Sequence, residues 1–228
     1  MADLDTTAPQ RGRFITFEGG EGAGKSTQIR LLADRLDAEG IRAIVTREPG
    51  GSPGAEIIRH VVLSGMGKLL GPEAETLLFA AARDDHVHTV IAPALAQGVW
   101  VLCDRFADST RAYQGRLGKV SPGLLNAMER VTIGRLKPDL TVILDIPVSI
   151  GMKRAAARRG DDVPDRFEAE GIAFHQGLRD AFRQIAGDEP QRCVMIDANA
   201  DPQTVADNIW AVLRGRLLAT ASFEATPA

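Results

Sequence analysis

The sequence predicts a three-layer α/β/α fold around a five-stranded parallel sheet. Five short runs rich in Val, Ile and Leu are almost continuously apolar, as strands buried on both faces of a parallel sheet are. Helical patterns separate these runs, and regular alternation of strand and helix is typical of a doubly wound sheet. The predicted strands are residues 14–18, 42–46, 99–104, 140–146 and 192–197.

The helices are predicted from apolar spacing and from their end signals. In the first, Ile29, Leu32 and Leu36 share one face, and Gly40 supplies a residue suited to the C-terminal stop. Several others begin at or beside a proline, which fits the first turn of a helix. The predicted helices are residues 26–39, 53–63, 73–97, 122–136, 147–159, 167–186 and 202–218.

Composition limits the classes of protein that fit. The 228 residues carry a net charge of −3 and are 44% apolar, which suits one domain over 13–219, with a disordered extension over 1–12 and a frayed tail over 220–228. No basic stripe indicates nucleic acid, and we expect neither a membrane span nor a secretory signal. Cys103 and Cys193 lie in apolar runs, so we expect reduced core thiols and a cytoplasmic protein.

The first strand leads into a glycine-rich loop with the spacing Gly19-x-x-x-x-Gly24-Lys25-Ser26. This is the P-loop pattern, and it lies between a predicted strand and a predicted helix. The loop N–H groups and the helix N-terminus favour phosphate, Lys25 reaches the β- and γ-phosphates, and Ser26 offers a hydroxyl to Mg²⁺. The alternative is a glycine-rich turn with a surface lysine.

Polar residues follow the other strands at the edge where parallel sheets bind ligands. Arg47 ends the second strand, and it suits either an anionic second substrate or a solvated ion pair. Asp104 and Arg105 end the third; they predict an Mg²⁺ ligand and a bidentate phosphate fork, or else a buried salt bridge. Phe79 and Arg83 share a helix face and suit either a base site or a core ring beside an exposed arginine.

A basic helix end follows the fourth strand. Arg154, Arg158 and Arg159 precede a Gly-Asp-Asp-Val-Pro break, after which a new helix begins. Such a segment predicts a lid over residues 154–168 that closes on transferring phosphates. The alternative is a helix C-terminus that carries cations for its dipole.

The chain is predicted to be a small-molecule kinase rather than a GTPase switch or an ATP-driven machine. It has no guanine-reading Asn-Lys-x-Asp stretch, and its Asp-x-x-Gly match at residues 37–40 ends the first helix. The third and fourth strands end in Asp-Arg and Asp-Ile instead of Asp-Glu. Arginines at several strand ends favour a phosphorylated acceptor.

Several stretches, in order, resemble the thymidylate kinase family. They are FITFEGGEGAGKST, TREPGG, LLFAAAR, CDRFADSTRAYQG, LKPDLTVILDI and MKRAAARRGDDVPDRFE, within residues 14–217. The resemblance implies a P-loop fold like that of nucleoside monophosphate kinases, with a LID segment. It also implies a homodimer that uses ATP and Mg²⁺ to convert dTMP to dTDP by in-line transfer. Because arginines lie in the lid and none lies in the P-loop, the chain resembles the bacterial lid-arginine type.

The resemblance also implies residue roles. Phe79 stacks on thymine, Arg83 donates to its O4 atom, and Glu21 accepts from the 3′-hydroxyl. Lys25, Arg105, Arg158 and Arg159 are the implied catalytic residues, with Arg158 favoured as the lid arginine. The implied metal residues are Ser26 and Asp104. Those for ATP are Gly19, Gly20, Glu21, Gly22, Ala23, Gly24, Lys25, Ser26, Thr27, Arg154 and Asn199. Those for dTMP are Glu21, Arg47, Pro49, Phe79, Arg83, Arg105, Ser109, Thr110, Tyr113 and Gln114.

Two other functions remain compatible with the sequence. One is another nucleoside or nucleotide kinase with the same order of loops. The other is a regulatory module that binds nucleotide without transfer, which the lid arginines disfavour.

Overall fold

A computed structural model describes residues 11–160 and 166–218. Its five strands form one sheet in the order β2-β3-β1-β4-β5, and every pairing is parallel, which confirms the predicted fold class. The predictions for residues 1–10 and 219–228, and for 161–165 of the lid, lie outside the described residues. The strands are β1 (Phe14–Gly19), β2 (Ala43–Arg47), β3 (Trp100–Asp104), β4 (Leu140–Asp145) and β5 (Cys193–Asp197).

Helices cover both faces of this sheet. A 3₁₀ turn over Met66–Leu70 precedes α3, and π-helical turns over Val87–Ile91, Arg111–Leu117 and Arg214–Leu218 extend three helices. The α-helices are α1 (Lys25–Ala38), α2 (Pro53–Leu63), α3 (Pro72–His86), α4 (Ala92–Ala96), α5 (Ala107–Thr110), α6 (Pro122–Thr132), α7 (Val148–Arg159), α8 (Ile172–Asp188) and α9 (Pro202–Leu213).

The core lies on both sides of the sheet because side chains alternate along each strand. On β1, Ile15 and Phe17 pack in the cluster that contains the apolar faces of α1 and α9. Phe14 packs on the opposite face, where its ring meets Phe106 edge-on at 4.9 Å. Each of these rings is fully buried, which stabilises the fold by about 1.5–3 kcal/mol relative to exposure.

The strand register brings the functional residues to one edge. Arg47 is the neighbour of Asp104 across β2 and β3, and Phe17 is the neighbour of Asp104 across β1 and β3. Gly19, where the P-loop begins, pairs with Leu144 of β4. The carboxyl ends of β1, β2 and β3 therefore meet at the same place.

Several helices differ from the prediction in form or in bounds. The helix predicted over 73–97 has a π-helical turn before Pro93, where Ala92 donates to the carbonyl of Val87, five residues back; proline lacks the N–H that a regular helix needs. The helix at Ala107–Leu117 was not predicted, because its buried face includes the polar Asp108 and Gln114. The helix predicted from Phe167 begins at Ile172.

The remaining structural predictions concern cysteines, membranes and the N-terminus. Both cysteines are buried and unpaired, which confirms reduced core thiols. Within residues 11–160 and 166–218, no helix has the length and apolar content that crossing a bilayer requires. Residues 11 and 12, which were predicted to belong to the disordered extension, form contacts with the domain. The Gly12 amide donates to the Leu95 carbonyl at 2.9 Å, and Arg11 pairs with Asp139.

Candidate functional site

The P-loop runs from the end of β1 into the first turn of α1. Gly22 adopts a φ of +67°, and a Cβ there would lie 2.0 Å from the Gly151 carbonyl oxygen on α7. The loop therefore packs so closely on α7 that only glycine fits. Lys25 is buried, and its Nζ donates to the carbonyls of Gly19 and Gly20 at 3.2 and 3.0 Å. Burial, and then the positive charge of Arg105, lower the pKa of Lys25.

Glu21, the acidic residue inside this loop, faces the arginine that follows β3. Its Oε1 accepts from Arg105 at 2.7 Å, and both side chains are less than one-fifth exposed. Burial alone would raise the pKa of Glu21, but the charges of Arg105, Lys25 and Arg158 outweigh it and hold the pKa below its ordinary value. The carboxylate is thus ionised and available as an acceptor.

A cleft of about 400 Å³ opens beside the P-loop at the carboxyl edge of the sheet. It is lined by all ten residues predicted for dTMP and by seven others predicted for ATP, metal or catalysis. Those that line it are Glu21, Gly22, Ala23, Gly24, Lys25, Ser26, Arg47, Pro49, Phe79, Arg83, Asp104, Arg105, Ser109, Thr110, Tyr113, Gln114 and Arg158.

One wall of the cleft comes from α3. Phe79 is partly exposed to the cleft, whereas Arg83, one turn later, is only 6% exposed. The alternative of a core phenylalanine with an exposed arginine is therefore wrong in both respects. Arg83 donates from Nε to Glu48 at 2.8 Å and from NH2 to Thr110 at 3.1 Å, so its guanidinium is fixed in the wall.

Arg105 is held in a left-handed backbone conformation, with a φ of +69°. The turn is secured by Glu18, whose Oε1 accepts from the amides of Phe106 and Ser109 at 2.8 and 3.2 Å. Ser109 Oγ donates to Glu18 Oε2 at 2.7 Å and lies 3.4 Å from Arg105 NH1. Burial and the nearby charge of Asp108 raise the pKa of Glu18 to about 7.

Arg47, the candidate phosphate-binding residue on β2, lies at the rim of the cleft. Arg47 is 54% exposed and pairs with Glu56 at 2.8 Å. The next residues form a loop over α2, with a cis Glu48–Pro49 bond, and Arg59 of α2 donates to the Pro49 carbonyl. Arg47 thus lies at the mouth of the cleft, while Arg105 lies deeper.

Ser26 and Asp104 adjoin one another across the P-loop. Ser26 Oγ donates to Asp104 Oδ2 at 3.0 Å, whereas Asp104 Oδ1 is buried with no hydrogen-bond partner in the described part of the chain. An unpartnered buried carboxylate oxygen beside a hydroxyl suits a hard cation. No group of three or more His, Cys, Asp or Glu residues is placed to hold a metal in 11–160 and 166–218. The pair therefore fits an ion that takes its other ligands from water and substrate.

A second cavity, of about 340 Å³, lies on the other side of the P-loop and is called the outer cavity here. Gly22, Ala23, Gly24 and Thr27 form its inner side. Arg154 of α7 lines it and donates to the Ala198 carbonyl at 3.0 Å. Asn199 does not line it but follows Ala198 in the loop after β5, where its amide donates to Asp197.

The two lid arginines are held by one carboxylate. Arg158 and Arg159 donate to opposite oxygens of Glu168, at 3.1 and 3.0 Å. Arg158 is 63% exposed and lines both the cleft and the outer cavity, whereas Arg159 lines neither. Of the other predicted residues, Gly19 and Gly20 also line neither and instead hold Lys25.

The cleft also has lining residues to which the sequence assigned no role. Arg59 and Leu63 come from α2, which contains no recognisable motif, and Phe167 and Glu168 are the last two residues of the predicted lid. Glu48 and Phe106 adjoin predicted residues, so their positions next to strand ends could have indicated them.

Comparisons with known proteins point to one family. The family model for thymidylate kinase matches residues 17–209. A thymidylate kinase of Bradyrhizobium diazoefficiens is 78% identical over 210 residues, 92% of each chain, and one of Nitrobacter hamburgensis is 79% identical over 208 residues, 91% of this chain and 90% of that one. The crystal structure of thymidylate kinase from Ehrlichia chaffeensis matches with a TM-score of 0.72 at 33% identity, covering 89% of this chain and 99% of that one. The chain therefore belongs to the thymidylate kinase family, whose members phosphorylate dTMP to dTDP with ATP.

Proposed function

We propose that this chain transfers the γ-phosphoryl group of ATP to dTMP with the two nucleotides on opposite sides of the P-loop. dTMP occupies the cleft, and the adenosine of ATP occupies the outer cavity. The observation that carries this assignment is that Gly22, Ala23, Gly24 and Arg158 line both cavities. The phosphates of the two nucleotides then meet where Lys25 and Arg158 concentrate positive charge.

The acceptor base lies against α3. Phe79 stacks on thymine, and Arg83 donates to its O4 atom; cytosine presents an amine at that position and offers no acceptor. Thr110 and Gln114 adjoin the base from the helix after β3. Tyr113 lies under the sugar, and its ring packs edge-on against Phe167 at 5.1 Å, so the ring position that would exclude a 2′-hydroxyl is fixed.

Arg47, Arg105 and Ser109 bind the acceptor phosphate, with Pro49 at the rim. The guanidinium of Arg105 is the stronger anchor because it is largely buried and held at Gly19 and Glu21, whereas the exposed Arg47 is screened by water. Glu21 accepts a hydrogen bond from the 3′-hydroxyl of dTMP. One side chain thus ties the acceptor sugar to the loop that holds the ATP phosphates.

Catalysis is by in-line displacement. The acceptor phosphate is largely dianionic at pH 7, so its oxygen attacks the γ-phosphorus without a strong general base. The loop amides, Lys25 and Arg105 position and neutralise the phosphates, and Arg158, with Arg159 beside it, adds positive charge when the lid closes. Arg154 lies against adenine, and Asn199 flanks it.

Ser26 and Asp104 would hold Mg²⁺, which would neutralise developing charge on the phosphates. The buried Asp104 Oδ1, which has no hydrogen-bond partner among the described residues, supports this assignment. We expect Asp104→Asn to raise the Mg²⁺ concentration needed for half-maximal activity about tenfold, because the neutral amide is a weaker ligand. A Mg²⁺ titration of ADP release checks this, and an unchanged midpoint would remove Asp104 from the metal site.

The arrangement of two cavities is tested with an adenosine–thymidine pentaphosphate, which joins both nucleosides through a phosphate chain. It should inhibit competitively against ATP and against dTMP, and it should bind with one-to-one stoichiometry in calorimetry. Competition against only one nucleotide would contradict the assignment of the two nucleosides to the two cavities.

The chain also acts as a homodimer in the cytoplasm. Large apolar residues are exposed on the neighbouring elements α2, α3 and α6 and on the 3₁₀ turn, a pattern typical of an interface. They are Ile57, Met66, Leu69, Leu70, Leu77 and Val131. Leu77→Glu should therefore produce monomers in a sizing measurement. Both unpaired thiols suit a reducing compartment, where ATP and dTMP are available.

A further inference from the structure

A buried chain of hydrogen bonds joins the end of β2 to α3 behind the cleft. Thr46 Oγ1 lies 2.7 Å from His86 Nε2, and His86 Nδ1 lies 3.2 Å from Glu48 Oε1. Arg83 Nε donates to Glu48 Oε2 at 2.8 Å, and its NH2 donates to Thr110 at 3.1 Å. The chain therefore ends at the arginine assigned to the acceptor base.

This buried chain of hydrogen bonds consists of polar side chains, at a place where apolar packing would stabilise the fold equally well. His86 is 0% exposed, and Glu48 and Arg83 are each 6% exposed. A buried ion pair often stabilises a fold no more than apolar residues of the same volume. Glu48 and Arg83 line the cleft, whereas His86 does not, so His86 acts on any ligand only through its neighbours.

The carboxylate of Glu48 is held by one hydrogen-bond donor on each of its two oxygens. A carboxylate only accepts, so Arg83 Nε–H and His86 Nδ1–H donate to its two oxygens. In the neutral ring, Nε2 then accepts from the Thr46 hydroxyl. With Nε and NH2 both engaged, the plane of the Arg83 guanidinium is set. NH1 forms no hydrogen bond within residues 11–160 and 166–218, and it is the donor for a ligand in the cleft.

Strand β2 and the loop that follows it pack around this chain of hydrogen bonds. Thr46 and Glu48 flank Arg47, so their side chains point to one side while Arg47 points to the other and pairs with Glu56. Gly51 has a φ of +88°, and a Cβ there would lie 2.5 Å from both His86 Nε2 and Thr46 Oγ1. The glycine loop thus closes directly over the Thr46–His86 hydrogen bond.

We propose that His86 is a positioning residue that, through Glu48, orients Arg83 for recognition of the acceptor base. This inference rests on the proposed assignment of Arg83 to thymine O4. Thr46 completes the chain of hydrogen bonds, because its hydroxyl bonds to Nε2 of the His86 ring. The carboxyl end of β2 therefore supplies a contact to the acceptor phosphate on one side, through Arg47. On the other side, Thr46 and Glu48 support Arg83, which recognises the base.

The test is a double-mutant cycle of His86→Leu and Arg83→Met, read by calorimetric dissociation constants for dTMP, dCMP and ATP together with kcat. His86→Leu alone should weaken dTMP about tenfold and reduce the preference for dTMP over dCMP, because a hydrogen bond to a charged group is lost. ATP affinity should be unchanged, and kcat should stay within about threefold. In the Arg83→Met background, His86→Leu should change dTMP affinity by less than about twofold.

The matched control is His88→Leu, which removes an exposed histidine from the adjoining π-helical turn and should leave all four values unchanged. Equal weakening of dTMP by His86→Leu in both backgrounds would overturn the positioning role while leaving Arg83 in place. If Arg83→Met alone leaves dTMP affinity and dCMP discrimination intact, the base assignment fails, and the positioning role fails with it.

Thr46→Val gives an independent variant in case His86→Leu does not fold. It keeps the side-chain shape and removes only the hydroxyl that bonds to the ring. We expect dTMP affinity to fall about threefold with ATP affinity nearly unchanged, and the melting temperature to fall by a few degrees because the buried Nε2 loses its donor. No change for dTMP, or equal losses for dTMP and ATP, would overturn the inference.

Discussion

Glu21→Ala should weaken the use of dTMP far more than the use of its 3′-deoxy analogue. Glu21 Oε1 is bonded to Arg105, whereas its other carboxylate oxygen has no partner in the described part of the chain. This oxygen is the proposed acceptor for the 3′-hydroxyl. A hydrogen bond to a charged group contributes about 1.5–3 kcal/mol, so its loss should lower kcat/KM for dTMP about 10- to 150-fold.

The analogue separates this contact from the Arg105 pair. A 3′-deoxy acceptor lacks the hydroxyl, so Glu21→Ala removes only support for Arg105, which keeps its contacts with Gly19 and Ser109. We therefore expect less than about tenfold loss with the analogue. Glu21→Gln keeps a neutral acceptor and should cost dTMP about 1 kcal/mol, or about fivefold.

The assay is steady-state ADP release with each acceptor at saturating ATP. Wild-type protein with the 3′-deoxy acceptor serves as the control for loss of the hydroxyl itself. Equal fold losses for both acceptors in Glu21→Ala would refute the contact and would assign Glu21 to the positioning of Arg105 alone.

Three further predictions follow from the site. Arg158→Ala should lower kcat by about 10³-fold or more with little change in dTMP affinity, and Arg159→Ala should have a smaller effect, because Arg158 lines both cavities and Arg159 lines neither; a change confined to KM would contradict this. Phe79→Ala should raise the dissociation constant for dTMP about tenfold with ATP binding intact, by loss of stacking, as calorimetry would show; unchanged dTMP affinity would remove the ring from the base site. Burial raises the pKa of Glu18 to about 7 from its ordinary 4.5, so the native state binds more protons in that window and the free energy of unfolding falls as pH rises through it. The free energy of unfolding should therefore fall by about 3 kcal/mol less in Glu18→Gln than in the wild-type protein over this pH range, as urea titrations at several pH values would show. The same pH dependence of the unfolding free energy in both proteins would contradict the raised pKa.

Local signals account for what the sequence predicted well. The P-loop is contiguous, so its glycines, Lys25 and Ser26 are recognisable without tertiary information. Asp104 and Arg105 could be assigned to the binding edge because the carboxyl ends of parallel strands converge there. The sheet was predictable because its strands are apolar on both faces.

Other features depend on packing between distant segments. His86 meets Glu48 across 38 positions, and nothing in the spacing of α3 indicates that a fully buried ring supports the carboxylate. The helix from Ala107 was missed because Asp108, which it buries, is paired with Arg192, the residue before β5. The choice between Arg158 and Arg159 likewise depends on helix rotation, which sequence order does not give.

The central claim is that the cleft reads a thymine nucleotide and aligns it with ATP across the P-loop. Its most direct test is ADP release by the wild-type chain with dTMP, dUMP, dCMP, dAMP and dGMP at equal concentration. We predict the highest kcat/KM for dTMP, a lower value for dUMP, which keeps O4 but lacks the methyl group, and much lower values for dCMP and both purines. Turnover of a purine acceptor equal to or better than that of dTMP would contradict the account.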